Sequence, residues 1–145
     1  MKVGVPKEIK TNEYRVGLTP EATREYVVAG HCVLVETNAG LGIGAPDDCY
    51  RKVGATLVET AREIFASSEM IVKVKEPQPT EWSQLREGQI LFTYLHLAPD
   101  VNQTKGLMES GCIAVAYETV TDADGGLPLL APMSEVAGRL AIEAA

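Results

Sequence analysis

Short apolar segments alternate with helical segments along the chain, and this alternation is the feature that most constrains its fold. Strands are predicted at Val3–Pro6, Cys32–Glu36, Thr56–Val58, Glu69–Lys75, Ile90–Leu95 and Cys112–Tyr117. Parallel strands need a helical crossover between them, whereas antiparallel hairpins need only a short turn. The alternation therefore predicts an α/β fold, a three-layer sandwich with a mostly parallel sheet.

Local signals place the ends of the helices. Thr19 and Pro20 read as the N-cap and first residue of a helix that ends at Gly30, and Gly111 ends the helix Pro99–Ser110. Shorter helical segments are predicted at Asp47–Val53, Thr60–Ser67 and Trp82–Leu85, and the turn-rich segment Thr121–Pro132 is predicted as a loop. The arrangement expected is Rossmann-like or flavodoxin-like.

Charge and cysteine content exclude several classes of partner and site. The 145 residues fit one domain, and a net charge of −7 with no basic run argues against nucleic acid or an anionic membrane as partner. Met1 leads directly into the first strand, which leaves no room for a signal peptide, and no apolar run approaches a membrane span. The widely spaced Cys32, Cys49 and Cys112 disfavour a disulfide or a metal site. A soluble, cytoplasmic protein is expected.

Four functional side chains fall at or just past the ends of predicted strands. They are Arg15, Lys75, His96 and Glu118. In an open parallel sheet the carboxyl ends of the strands line one crevice, so residues far apart in sequence can meet there. A guanidinium, an ammonium, an imidazole and a carboxylate facing one crevice suggest a site for a small carboxylate. Glu118 is expected to orient its neighbours, and Lys73 to cap a strand edge.

A glycine-rich loop between the second strand and the next helix invites a different interpretation. Gly40-Leu41-Gly42-Ile43-Gly44-Ala45 fits the loose Gly-x-Gly-x-x-Gly/Ala pattern of dinucleotide-binding loops. However, Asp47 and Asp48 put two carboxylates in the first turn of the helix, where they would repel a pyrophosphate. The predicted helix is also only about two turns long. The sequence therefore favours a structural turn.

The last segment has the pattern of a helix that continues. Ser134 is predicted as its N-cap, Glu135 lies in the first turn, and the residues from Val136 to Ala145 are strong helix formers with no terminating signal. We expect this segment to be an interdomain helix.

Three motifs carry a resemblance to a known family. The first is Lys2-Val3-Gly4-Val5-Pro6-Lys7-Glu8 with Glu13-Tyr14-Arg15-Val16 and Thr19-Pro20, the second Val72-Lys73-Val74-Lys75-Glu76-Pro77, and the third Pro132-Met133-Ser134-Glu135-Val136-Ala137-Gly138. They resemble the alanine dehydrogenase and nicotinamide nucleotide transhydrogenase superfamily. Tyr94-Leu95-His96-Leu97-Ala98 favours the alanine dehydrogenase branch, because the transhydrogenase domain lacks this histidine.

The resemblance implies a division of labour within a two-domain dehydrogenase. Residues 1–132 would form the substrate domain, and residues 133–145 would begin the interdomain helix leading to an NAD-binding domain absent from this chain. The implied reaction is the reversible oxidative deamination of L-alanine to pyruvate and ammonium, and the chain alone is expected to be inactive. The family forms homo-oligomers, commonly hexamers.

The resemblance also implies a role for each site residue. Arg15 and Lys75 would bind the carboxylate and oxo group of the substrate, with Lys75 also polarising the carbonyl. His96 would be the general acid and base, and Ser134 would contact NAD. These residue types suit the roles, since arginine offers a bidentate fork to carboxylates and imidazole titrates near neutral pH. A transhydrogenase alpha subunit, a saccharopine dehydrogenase-like domain and a non-catalytic oxo-acid-binding module remain alternatives.

Overall fold

The core of the molecule is a six-stranded sheet in which every neighbouring pair is parallel. The computed structural model describes residues 1–144. Its strands are β1 (Lys2–Val5), β2 (Cys32–Glu36), β3 (Thr56–Val58), β4 (Met70–Val72), β5 (Ile90–Thr93) and β6 (Ile113–Ala116). Their order is β3-β2-β1-β4-β5-β6, which is the Rossmann arrangement. The predicted α/β class is thus confirmed.

Helices follow all six strands. They are α1 (Pro20–Val28), α2 (Asp47–Lys52), α3 (Ala61–Ser67), α4 (Pro79–Trp82), α5 (Val101–Ser110) and α6 (Ala131–Ala144). The Thr19 hydroxyl accepts the Ala22 N–H at 3.3 Å and so caps α1 as predicted. Gly111 ends α5 with φ of +67°, a left-handed conformation that favours glycine. The helix after β4 lies earlier than predicted, over Pro79–Trp82 instead of Trp82–Leu85, because Pro79 occupies its first turn and the Glu81 carboxylate accepts the Gln78 N–H.

Apolar side chains pack on both faces of the sheet, which makes the three layers. Along β2, Val33 and Val35 point to the face covered by α1 and α2, while Leu34 points to the face covered by α3 and α5. Tyr50 of α2 is fully buried on the first face, and Phe65 of α3 on the second. Because both faces are covered, the strands read as nearly continuous apolar runs.

Three strands are shorter than the apolar runs that predict them. The observed ends are Val72, Thr93 and Ala116, against predicted ends at Lys75, Leu95 and Tyr117. After β4 and β5, backbone N–H groups turn away from the sheet and donate to carboxylates, Val74 to Glu8 and Leu95 to Glu118. The regular ladder therefore stops where two acidic side chains from other loops replace it.

The last helix begins earlier than predicted. The structure starts α6 at Ala131, and the Ser134 N–H donates to the Leu130 carbonyl at 3.1 Å, so Ser134 lies inside the helix and is not its N-cap. Pro132 explains the difference, because proline is tolerated in the first turn, where its missing N–H would have no acceptor in the helix. Residue 145, the predicted last residue of this segment, lies outside the described residues.

Neither a disulfide bond nor a helix able to cross a membrane is found among residues 1–144. Cys32, Cys49 and Cys112 are free thiols. Within residues 1–144, none of the helices combines the length and apolar character needed to span a bilayer.

Candidate active site

The candidate site lies where the order of the strands reverses. β1 pairs with β2 on one side and with β4 on the other, so the connections that leave β1 and β4 diverge and open a crevice beyond the carboxyl ends of the strands. Open parallel sheets bind their ligands at this point. The predicted strand-end residues all follow strands that reach this edge.

Three of the four predicted residues line one cavity. Lys75, His96 and Glu118 surround a space of about 350 Å³. Lys10 and Glu76, which form an ion pair with each other, also line this space. The apolar and aromatic part of its wall consists of Tyr94, Leu130 and Met133. The cavity therefore combines two ammonium groups, two carboxylates and an imidazole with an apolar side. Because Lys10 and Glu76 bind each other, Lys75 and His96 are the groups that suit a small anion with a short apolar group.

Arg15 lies next to this cavity, and its charged group is already occupied. Its Nη1 is 3.8 Å from the Sδ of Met133, which lines the cavity. Its Nε and Nη2 donate to the two carboxylate oxygens of Glu13 at 2.9 and 2.7 Å. These hydrogen bonds lower the pKa of Glu13. The fork that the sequence predicts for a ligand carboxylate thus binds an internal carboxylate in this structure.

His96 has an unusual backbone conformation. Its φ is +48°, in the left-handed region that non-glycine residues rarely occupy. The Glu118 carboxylate accepts the His96 N–H at 2.7 Å and the Leu95 N–H at 3.1 Å. Glu118 therefore contacts the backbone that carries the imidazole.

Lys73 does not cap a strand edge as expected. Its side chain is fully buried, and its Nζ donates to Glu8 at 2.9 Å and to Glu81 at 2.7 Å. A buried ammonium persists only when it is paired, and here two carboxylates share it. The interaction joins the loop after β1 to the loop after β4 directly beneath the crevice.

Glu8 also holds the backbone that leads to Lys75. Its Oε1 accepts the Val74 N–H at 2.6 Å and the Lys75 N–H at 3.4 Å, while its other oxygen binds Lys73. Sequence reasoning missed Glu8, Lys73 and Glu81. The available signal was a lysine between two valines in an otherwise apolar strand, because such a charge needs an acidic partner when it is buried.

The glycine-rich loop forms a turn that packs against the site. Residues Leu41–Ile43 form a 3₁₀ turn, and a side chain at Gly42 would collide with the carbonyl oxygen of Tyr14. Asp47, at the start of α2, accepts the Asn38 N–H at 2.7 Å. Since a carboxylate already occupies the start of this helix and the loop contacts Tyr14, the loop does not fit a pyrophosphate.

Ser134, the residue predicted to contact NAD, lies on α6 beside the cavity. Its side chain is exposed on α6, directly after Met133, which lines the cavity. A group lying over the cavity from the side of α6 would therefore meet a free hydroxyl.

Comparisons with known proteins give a consistent family. The model of the family "Alanine dehydrogenase/PNT, N-terminal domain" matches residues 4–137. The chain is 53% identical over 143 residues to an alanine dehydrogenase of Methanococcus maripaludis and 51% identical over 143 residues to one of Mycobacterium tuberculosis, covering 99% of this chain in both cases. It spans 38% of the length of these relatives.

Solved structures agree with this comparison. A structure titled L-alanine dehydrogenase superposes with a TM-score of 0.93 at 51% identity, over 99% of this chain and 39% of the other. A transhydrogenase from Sinorhizobium meliloti superposes with a TM-score of 0.76 at 30% identity, over 81% of this chain and 35% of the other. The first has both the higher TM-score and the higher sequence identity.

Proposed function

The chain belongs to the alanine dehydrogenase/PNT N-terminal domain family, and on that premise we propose that it is the substrate-binding part of an NAD-dependent L-alanine dehydrogenase. The proposed reaction converts L-alanine, water and NAD⁺ to pyruvate, ammonium, NADH and a proton, and it is reversible. Residues 1–132 form the substrate domain, and residues 133–145 begin the connection to an NAD-binding domain. The observation that carries the proposal is the cavity that Lys75 and His96 line together with an apolar wall.

The proposed roles follow from the chemistry of each group. Arg15 binds the substrate carboxylate as a bidentate fork. Lys75 binds the oxo group and stabilises the negative charge that develops on its oxygen. Leu130 and Met133 give the methyl group an apolar surface. These three kinds of contact define a short 2-oxo or 2-amino acid.

His96 serves as general base in one direction and general acid in the other. Deamination requires a neutral imidazole that takes a proton, and amination of pyruvate requires the imidazolium that returns it. NAD, when bound, supplies the acceptor for the hydride that leaves the α-carbon. Ser134 contacts NAD from α6. The whole protein is proposed to be a cytoplasmic homo-oligomer, a hexamer as in the family that it resembles.

A chimera tests the proposal, because the chain spans only part of its relatives. This chain is joined at its aligned end to the remaining C-terminal part of the Methanococcus maripaludis relative. We expect the chimera to form NADH with L-alanine and the 145-residue chain alone to form none. Replacing His96→Ala in the chimera should lower kcat about 10²–10⁴-fold while NADH affinity stays nearly constant.

The relative itself serves as positive control, with NADH binding followed by fluorescence. A chimera that is folded and binds NADH but does not oxidise L-alanine would refute the proposed activity. Activity with NADPH-to-NAD transfer would favour the transhydrogenase. Turnover of saccharopine would favour a saccharopine dehydrogenase-like domain. Pyruvate binding without turnover would favour the non-catalytic module.

A further inference from the structure

The peptide before His96 is held from two sides by residues of different elements. Glu118, in the turn after β6, accepts the Leu95 N–H at 3.1 and 3.2 Å and the His96 N–H at 2.7 Å. Gln103 of α5 donates from Nε2 to the Leu95 carbonyl at 2.7 Å. Both backbone groups of Leu95 and the N–H of His96 are thus engaged by side chains.

These hydrogen bonds from Glu118 and Gln103 lie at the residue with positive φ, His96, and at the residue before it. A non-glycine residue in the left-handed region costs about 1–3 kcal/mol, and it persists only where its surroundings fix it. Hydrogen bonds to a carboxylate are shorter and stronger than neutral ones, which suits Glu118 to this task. Gln103 is fully buried, and its Oε1 has no hydrogen-bond partner among the described residues. A buried amide left half satisfied indicates that its remaining hydrogen bond, to Leu95, is the reason for its presence.

We propose that Glu118 and Gln103 are positioning residues that together fix the left-handed turn at His96 and so aim its imidazole into the cavity. This inference rests on the proposed acid–base role of His96. Neither residue needs to touch the substrate. Gln103 in particular acts from α5, through the carbonyl of Leu95.

The kinetic test uses three variants of the chimera with matched controls. Glu118→Gln keeps an acceptor but loses the charge, Glu118→Ala loses both, and Gln103→Met keeps the side-chain length without the donor. We expect kcat to fall about tenfold in Glu118→Gln and about a hundredfold in Glu118→Ala, with KM for pyruvate and for NADH changed less than threefold. Gln103→Met should lower kcat by about the same factor as Glu118→Gln, again with little change in KM. Glu109→Gln, an exposed charge removal on α5, should behave as wild type.

Non-additivity is the sharper part of this test. If Glu118 and Gln103 hold the same turn, their effects on kcat should not multiply. The factor by which kcat falls in the double variant Glu118→Gln/Gln103→Met should be much smaller than the product of the factors in the two single variants. Gln103→Met has two opposing effects on stability. It removes the buried Oε1 that has no partner among the described residues, and it leaves the Leu95 carbonyl without its donor. Because these effects offset each other, the free energy of unfolding should change little. A loss of kcat that simply follows a loss of stability would overturn the proposal, and so would kcat within twofold of wild type in both single variants.

Hydrogen–deuterium exchange provides a readout that does not require activity. Peptides of the chimera that contain Leu95 and His96 should exchange at least tenfold faster in Glu118→Gln, whereas peptides from β1 and β2 should be unchanged. If the wild-type chimera lacks activity, the proposed function fails while this measurement still tests the turn. Unchanged exchange at residues 95 and 96 in Glu118→Ala would overturn the positioning role.

Discussion

Replacing Lys73→Met should destabilise the protein severely, although it puts an apolar side chain of similar length into a buried position. The Lys73 ammonium is fully buried between Glu8 and Glu81, whose side chains are 2% and 3% exposed. Both carboxylates lie within hydrogen-bond distance of the same nitrogen, at 2.9 and 2.7 Å. Methionine fills the space but leaves two buried negative charges facing each other.

The magnitude follows from two terms. Carboxylates about 5 Å apart repel each other by about 3 kcal/mol at an effective dielectric constant of about 20. Removing one partner of a buried ion pair costs about 3–5 kcal/mol in measured cases, because the remaining charge is uncompensated. We therefore expect the unfolding free energy to fall by about 3–5 kcal/mol, a large part of the 5–15 kcal/mol typical of a folded domain.

Urea denaturation followed by circular dichroism measures this loss. Lys105→Met, which removes an exposed lysine of α5, is the matched control and should change the free energy of unfolding by less than about 0.5 kcal/mol. Adding Glu81→Gln to Lys73→Met should restore part of the loss, since it removes one of the two facing charges. If the unfolding free energy of Lys73→Met lies within about 1 kcal/mol of the wild-type value, the two carboxylates do not need the Lys73 ammonium to be tolerated in the core.

Two further predictions concern Arg15 and Tyr50. In the chimera, Arg15→Lys keeps the charge but loses the fork, so KM for pyruvate should rise by the equivalent of about 1.5–3 kcal/mol, and an unchanged KM would exclude the carboxylate-binding role. Burial raises the pKa of Tyr50 to about 12, and its hydroxyl donates to the Leu18 carbonyl at 3.0 Å. The stability from the neutral phenol is present below pH 10 and is lost as the pH rises from about 10 towards 12. In urea titrations the stability advantage of wild type over Tyr50→Phe should therefore shrink by about 1.4 kcal/mol between pH 9 and 11, and a constant advantage would contradict this assignment.

The parts of the fold that depend on local chemistry could be predicted from the sequence. Thr19 marks the start of α1 because its side chain caps the next turn, and Gly111 marks the end of α5 because it adopts a positive φ. The alternation of short apolar segments with helical segments predicts the parallel sheet and its three layers. These features depend on residues close together in sequence.

The parts of the site that depend on distant partners could not be predicted. Nothing near Lys73 in sequence reveals that Glu8 reaches it from 65 positions away. The early end of β5 depends in the same way on Glu118, which lies 23 positions beyond Leu95. The start of α6 was misplaced for a local reason, since Ser134 resembles an N-cap as closely as Pro132 resembles a first-turn residue. Strand-end placement nevertheless brought Lys75 and His96 to one cavity.

The pairing of Arg15 with Glu13 makes ligand recognition an exchange of one carboxylate for another. An incoming anion that bound through the guanidinium would have to displace Glu13. Its apparent affinity would therefore be its intrinsic affinity multiplied by the fraction of molecules in which the pair between Arg15 and Glu13 is open. A simple anion such as acetate offers Arg15 nothing that Glu13 does not already provide. Under the proposed roles, a 2-oxo acid would add a carbonyl for Lys75, and this second contact would favour it over Glu13 in the competition for Arg15. The pair between Arg15 and Glu13 would then discriminate against simple small carboxylates at the binding step, before any chemistry takes place.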